Sequence, residues 1–413
     1  MKQKSQTINS HNANLPKVSI IIPTLNRIAY IKECVDSALS QTLRDIEIIC
    51  VDSGSTDGTL EVLQDYAKKD SRVHIIISPK KSYGYQMNLG ISQARGEYIG
   101  IVESDDFVKP QMFERLYSTA KEQDCDIIKS DILCFHTDNA TQKAQSAQNP
   151  QDSQNSAYKF TLTPIVKQRR FYGKKLIFDL RLDLRQDSES RSDSRLDSHL
   201  DSRPNLRVDS NPHSKSTKTK IALLKSAWKM NQSSIFRREF LQKHSIRFNE
   251  TLGASYQDTG FSFISTICAS SIYLLDKAYY CYRTDNESSS SNSKDKVYCI
   301  CDEYDYIARF LERENLMSVY SGLYHYLRFC GYKWNVERIA AQSKLEFLYR
   351  FQKDFAHLSA SQIKSCGFKW HQRRKLAKIL DSPRDFYAEL LEPKPKGLWR
   401  KIKHYFKHYI IKH

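Results

Sequence analysis

No apolar run in this chain of 413 residues approaches the roughly 18 residues needed to cross a bilayer. The opening stretch, M-K-Q-K-S-Q-T-I-N-S-H-N-A-N, lacks the apolar centre of a secretory signal. Ten cysteines are present, but no two form a C-x-x-C pair. The closest, Cys299 and Cys301, are too few for a metal site. A disulfide framework and a zinc module are therefore both excluded by spacing, and reduced buried thiols are expected. These absences together lead to the expectation of a cytoplasmic protein. The first apolar run ends in T-L-N-R, without the Gly-rich loop and Lys that would grip a triphosphate. The basic, aromatic-rich regions contain no recognisable nucleic-acid-binding module.

What is present describes a folded, aromatic-rich chain: 40% hydrophobic residues, with 24 Tyr and 19 Phe. That length can bury one large core or two ordinary ones. The net charge of +17 is unevenly spread, since residues 331–413 hold 19 Lys/Arg against 7 Asp/Glu. A basic C-terminal region implies an anionic partner, either a membrane surface or nucleic acid.

After a polar lead, expected to be disordered over residues 1–15, the chain alternates strand and helix. K-V-S-I-I-I-P (17–23) reads as a buried strand opening into Thr24–Arg27, and Ile28–Ser40 as a helix. Ile46–Val51 is a second strand ending in D-S-G-S-T-D-G, residues suited to capping and unusual backbone angles. A helix over about Thr59–Lys69, a strand over Val73–Ile77, and a loop then helix over Gly84–Ala94 follow. This rhythm predicts an α/β fold with a parallel sheet and helices on both faces.

The next stretch, Y-I-G-I-V-E-S-D-D-F-V-K-P (98–110), organises the rest. A short β-branched run releases Glu103, Asp105 and Asp106 at its end. Glu103 and Asp105 are two residues apart, so they leave an extended strand on one face. Two close carboxylates repel unless a cation lies between them, and oxygen-only ligands suit Mg²⁺ or Mn²⁺. The plain alternative is a solvated acidic turn. Against it stands convergence: Thr24–Asn26, Asp52–Ser55 and Glu103–Asp106 all bring polar groups to the edge where open α/β sheets bind ligands.

Residues 136–220 are expected to be a low-complexity insertion, largely disordered because its Asp-Ser-Arg repeats cannot bury enough surface. Phe160–Leu180 is the more apolar part and a candidate folded remnant. Folded character returns at 221–300. There Phe236, Phe240 and Leu241 suggest a helix, Ile246 and Phe248 a short strand, and Asp258 opens a helix over Phe261–Ser270. Ile272–Leu275 is a further strand. Residues 301–413 read as helical and basic. The last predicted helix, Leu398–Ile411, sets an aromatic stripe against Arg400, Lys401, Lys403 and Lys407. That pattern suits either an anionic membrane surface or docking on the chain's own domain.

Three segments, P-K-V-S-I-I-I-P-T-L-N-R, I-I-C-V-D-S-G-S-T-D-G-T and G-E-Y-I-G-I-V-E-S-D-D-F, resemble the family 2 glycosyltransferases of GT-A fold. The match covers about Pro16 to Ile132, within a nucleotide-sugar-binding half over 16–135. It continues more loosely through Ser234 to Arg283, within an acceptor-side half over 221–300, where R-F-N-E-T-L-G-A-S-Y-Q-D-T-G-F resembles the acceptor-side acidic motif. The resemblance implies inverting transfer of a sugar from a nucleotide-diphosphate donor, typically UDP-linked, to a cell-surface polysaccharide or lipopolysaccharide acceptor, with Mg²⁺ or Mn²⁺. It further implies that Pro23, Thr24, Asn26 and Ser53 line the nucleotide pocket and that Asp52 meets the base. Asn88 would lie near the donor, and Glu103-Ser104-Asp105 would stand for the family's D-x-D motif. Asp105 is then the metal ligand, with Glu103, where the family has Asp, near ribose or metal. Asp258 matches the base that takes the acceptor's proton, Glu250 and Asp106 being its alternatives; a helix cap is the plainer role. Arg283 meets the diphosphate or is merely structural. Two other classes remain, a nucleotidyltransferase and a non-catalytic protein that binds nucleic acid or membrane.

Overall fold

The computed structural model describes residues 15–137, 158–178, 211–286 and 294–391. Runs of Ile and Val build its centre. Strands β1 (Val18–Thr24), β2 (Ile46–Asp52), β3 (Val73–Ile77) and β4 (Tyr98–Ile101) lie parallel in the order β3-β2-β1-β4. β1, β2 and β4 are buried along their whole length, which is why they read as continuous apolar runs rather than alternating ones.

Helices α1 (Ile31–Leu39), α2 (Thr59–Lys69), α3 (Tyr83–Gln93) and α4 (Met112–Gln123) follow in turn. Two glycines fix which face the last two take. A Cβ at Gly90 of α3 would stand 2.7 Å from Ile21, and one at Gly100 of β4 would stand 2.3 Å from Phe113 of α4. Ile21 pairs with Ile101, the neighbour of Gly100. Adjacent strand residues point to opposite faces, so α3 and α4 cover opposite sides of the sheet.

The second half of the sheet is mixed. Beyond β4 lie β5 (Phe107–Val108), β6 (Ile127–Thr137), β7 (Tyr158–Thr163), β8 (Lys175–Ile177), β9 (Ser234–Arg237) and β10 (Ser271–Arg283). The path runs β4-β9-β6-β10-β5, with β7 added to β6 and β8 to β10. β10 runs parallel to β6, and the other pairings are antiparallel. Several sequence expectations need correction here. Phe236 belongs to β9, and only Phe240 and Leu241 are helical, in α6 (Arg238–Lys243), which follows α5 (Lys215–Ser226). Ile246 and Phe248 are buried but form no strand; Asn88 holds both backbone groups of Phe248 instead. β10 runs to Arg283, far past Leu275, because one register shift carries it over Asp276 and Lys277 and a second carries it past Tyr279.

The region read as a low-complexity insertion contains folded pieces. β7 completes an aromatic cluster, with Tyr158 and Phe160 against Phe107 and Phe135 at ring distances of 4.9–6.5 Å. Asp131 of β6 accepts bonds from Tyr172 Oη and the Ile165 amide. α5 also begins at Lys215, inside the stretch read as insertion. The remainder of that insertion, the polar N-terminal lead and the amphipathic stretch 398–411 lie outside the described residues.

α7 (Gln257–Cys268) is buried along nearly its whole length. Helices α8 (Cys299–Arg313), α9 (Met317–Arg338), α10 (Ala341–Phe355), α11 (Ala360–Ser365), α12 (Trp370–Asp381) and α13 (Pro383–Leu391) complete the described chain. No helix among the described residues is long and apolar enough to cross a membrane.

Candidate active site

The ends of β1 and β2 are tied into one unit. Gln86 of α3 donates to the carbonyls of Thr24 and Val51, at 2.9 and 2.6 Å. Asn26, held at a left-handed φ of 53°, accepts from the Thr56 amide at 2.9 Å, and its own amide donates to Ser55 Oγ. A non-glycine residue in that conformation is strained, and such strain gathers at functional loops. Asp52 shapes the second loop: its carboxylate accepts from the Gly54 and Ser55 amides, each at 2.8 Å, and from Ser55 Oγ at 2.5 Å.

The acidic loop after β4 is fixed from behind by β10. Asp106 is buried and accepts from Tyr280 Oη at 2.6 Å and the Arg283 amide at 2.7 Å. Tyr280 Oη in turn accepts from the Glu103 amide at 3.1 Å. Arg283 is buried rather than exposed and points away from the site: it donates to the Asp105 carbonyl at 2.8 Å, pairs with Glu33 at 2.6 Å and lies against Tyr30 and Phe135. It braces the loop and does not line the cavity.

These elements border a cavity of about 590 Å³, a size ordinary for a small-molecule site. Pro23, Thr24, Asn26, Ser53, Glu103, Ser104, Asp105 and Asp258 all line it. So do the cationic side chains of Arg27, Lys81 and Lys296. Residues far apart in sequence are thus brought together, and one nitrogen shows how closely: Gln232 Nε2 donates to Glu103 Oε1 at 2.7 Å and to Asp258 Oδ2 at 3.3 Å. Tyr83 Oη adds a bond to Glu103 Oε1 at 2.8 Å, and Asn231 donates to Asp258 Oδ1 at 3.0 Å.

Two expected residues stand elsewhere. Asp52 is fully buried, engaged with its own loop, and does not reach the cavity wall. Asn88 clamps Phe248 and contacts Glu250 Oε1 at 3.0 Å, in a separate shallow groove. Their short polar side chains already have backbone partners to satisfy, which is why neither faces the cavity. Glu250 shares that outer groove, and Asp106 is committed to β10, so neither alternative to Asp258 lines the central cavity.

Asp258 does not cap its helix. Tyr256, at a left-handed φ of 66°, precedes α7, and Asp258 is the second helical residue. Desolvation raises its pKa, opposed by the hydrogen bonds from Asn231 and Gln232 and by the charge of Lys129. Glu103 is pushed up to about 8, first by desolvation and then by the charge of Asp258. Two such carboxylates cannot both ionise comfortably near neutrality without a further positive charge.

Among the described residues, no group of three His, Cys, Asp or Glu stands close enough to hold a metal alone. The donor set fits a different mode. Hard cations such as Mg²⁺ are held by one or two carboxylates together with substrate phosphates. Asp105 faces the cavity with one oxygen bonded to Asn286 Nδ2 at 2.6 Å, while Glu103 Oε1 already has two donors. Asp105 is therefore the freer ligand of the two.

Sequence reasoning missed Gln232, Tyr83, Tyr256 and Lys296. The one available signal was N-Q-S-S (231–234), a polar run directly before a strand; all four residues are buried. Tyr256 also joins the site to the C-terminal helices. Its hydroxyl donates to Asn335 at 2.8 Å, and its ring meets Trp334 edge-on at 5.6 Å.

Residues 19–178 match the protein-family model described as "Glycosyl transferase family 2". Over 114 residues, 28% of this chain and 33% of the other, the chain is 46% identical to the uncharacterized glycosyltransferase EpsJ of Bacillus subtilis. Over 112 residues, 27% of this chain and 37% of the other, it is 44% identical to glycosyltransferase GlyG of Streptococcus pneumoniae. The matched stretch spans only about a third of the length of these curated relatives. Among solved structures, S. aureus TarS 1-349 in complex with UDP-GlcNAc covers 89% of this chain and 92% of its own, at 17% identity and a TM-score of 0.45, a likeness too loose to assign residues. The likeness to glycosyl transferase family 2 thus rests on residues 19–178, which carry the parallel strands and the acidic strand end.

Proposed function

We propose that the chain transfers a sugar from a nucleotide-diphosphate donor, a UDP-sugar, to a glycan acceptor of a cell-surface polysaccharide or lipopolysaccharide, with inversion at the anomeric carbon. The observation that carries this reading is the convergence of Glu103, Asp105 and Asp258 on one cavity, with Gln232 touching two of the three carboxylates. A cavity with carboxylates on one wall and Arg27, Lys81 and Lys296 among its lining suits a diphosphate and the cation that accompanies it.

In this reading the loop of Pro23, Thr24, Asn26 and Ser53 holds the nucleoside, with Asp52 fixing the loop's shape. Thr24 Oγ1 is buried at the cavity wall without a hydrogen-bond partner among the described residues, as expected of a group reserved for a ligand. Asp105, with help from Glu103, would hold Mg²⁺ or Mn²⁺, whose positive charge would offset that of the diphosphate leaving group. Asp258 accepts the proton of the acceptor hydroxyl. Its raised pKa makes it a stronger base than an exposed Asp, while Asn231 and Gln232 orient its oxygens. Tyr256 and Lys296 complete the lining from the segments before α7 and α8. The basic stretch at 398–411 would hold the enzyme peripherally at the inner face of an anionic membrane.

A screen of nucleotide sugars tests this. The expected result is one donor that raises the melting temperature and is slowly hydrolysed in Mn²⁺ but not in EDTA. If no nucleotide sugar does either, the reading fails.

A further inference from the structure

A second cleft, of about 880 Å³, lies between the segment carrying β8 and the start of α5. Five cationic side chains line it: Arg170, Lys174, Lys175, Lys215 and Lys218. Among the described residues no Asp or Glu does, and none of the five forms an ion pair. Five like charges around one hollow, without a counter-charge, are costly unless an anion joins them.

A second, independent feature points to the same ligand. Ser216, in the first turn of α5, also lines the cleft; it is only 9% exposed, and its hydroxyl has no hydrogen-bond partner among the described residues. Buried hydroxyls are normally satisfied, so an orphan beside a helix N-terminus and five cations is suited to an oxyanion.

The cleft is remote from the carboxylates. β8 pairs with Ser271–Tyr273 at one end of β10, whereas Tyr280 and Arg283 at its other end hold the acidic loop. At about 3.3 Å per residue, that is on the order of 30 Å along the strand.

We propose that this cleft is a binding site for a phosphate group, presented by an anionic lipid headgroup or by a soluble phosphate. Such a site positions the protein on its partner and takes no part in sugar transfer. Ile177, 73% exposed beside the basic rim, provides apolar contact of the kind a headgroup region offers.

The test uses the full chain and two variants outside the candidate active site. Inorganic phosphate is titrated calorimetrically with UDP and Mn²⁺ present throughout, and flotation is measured with phosphatidylglycerol and phosphatidylcholine vesicles. The Lys174→Ala/Lys218→Ala pair is expected to lose at least about tenfold in phosphate affinity. Ser216→Ala, which leaves every charge in place, is expected to lose about threefold or more. Reduced flotation of the lysine variant on phosphatidylglycerol assigns the headgroup as the source; a phosphate effect with flotation unchanged assigns a soluble one. Wild-type protein that binds neither phosphate nor vesicles overturns the site, as does phosphate affinity unchanged in the variants. A loss on lysine removal but none in Ser216→Ala also overturns it, since a diffuse basic surface would behave that way.

Discussion

Two regions of this molecule take carboxylates out of water, and they treat them in opposite ways. In the C-terminal helices, Asp354 meets Arg328 at 2.7 Å, Arg350 at 2.8 Å and the Tyr332 hydroxyl at 2.7 Å. Asp305 lies between the same two arginines, at 3.5 and 3.2 Å. At the cavity, Glu103 and Asp258 share neutral donors, Gln232, Asn231 and Tyr83. A paired cluster stabilises a fold; a cluster left short of positive charge is a place where charge arrives with a ligand. Glu103 is pushed up to about 8, first by burial and then by the charge of Asp258.

The comparison can be broken from either side. The largest effect is expected at Asp258. Asn keeps its shape, and because Tyr256 precedes the helix no cap is lost. Asp258→Asn is expected to fold and bind nucleotide normally while transfer falls by about 10²–10⁴ in a steady-state assay. Transfer within a few-fold of wild type would remove Asp258 from the chemistry.

In the paired cluster the expected loss is of stability instead. Arg328→Met leaves Asp354 with Arg350 as its cation beside the Tyr332 hydroxyl, so denaturant unfolding should show a loss of about 3 kcal/mol, the low end for a broken buried pair. Activity per folded molecule is expected to stay near wild type. A large drop in that activity with little loss of stability would mean the two clusters are not separate in role.

A third effect concerns pH. A carboxyl whose folded pKa is raised holds its proton more tightly in the folded state. The contribution of Glu103 to stability is therefore present below its ordinary 4.5 and lost as the pH rises through about 8. A cation bound at the cluster offsets that loss, so the rise in melting temperature given by Mn²⁺ over EDTA should grow from pH 5 to pH 8. A rise independent of pH would place the ion elsewhere.

The smallest effect sharpens the role of Gln232. Its hydrogen bond lowers the pKa of Asp258, which must be unprotonated to act as a base. Removing it in Gln232→Ala should shift the acidic limb of the kcat/KM profile to higher pH, with modest loss at the alkaline plateau. An unmoved limb would leave Gln232 a structural spacer.

Much of the first half of the fold was legible in sequence because β1, β2 and β4 are buried on both faces and their Ile and Val runs admit little else. The acidic strand end was legible for the same reason, since carboxylates directly after a buried strand must leave at the sheet edge. β9 was hidden because Phe236, Phe240 and Leu241 mimic helical spacing across a strand-to-helix joint. β10 was cut short because its register shifts carry charged residues through the sheet. Asp258 was reached by resemblance, but its neighbours were not: Gln232 arrives from the turn before β9, and no local pattern ties that turn to Glu103. For Arg283 the structural alternative holds, though nothing local reveals that Glu33, Tyr30 and Phe135 enclose it.

The central claim is that the unpaired carboxylates are where a divalent cation and a nucleoside diphosphate bind together, and calorimetric titration of UDP tests it most directly. Wild-type protein in Mn²⁺ should bind UDP, and EDTA or Asp105→Ala should each weaken that binding by at least about tenfold. UDP binding of equal strength in Mn²⁺, in EDTA and in Asp105→Ala would contradict the account.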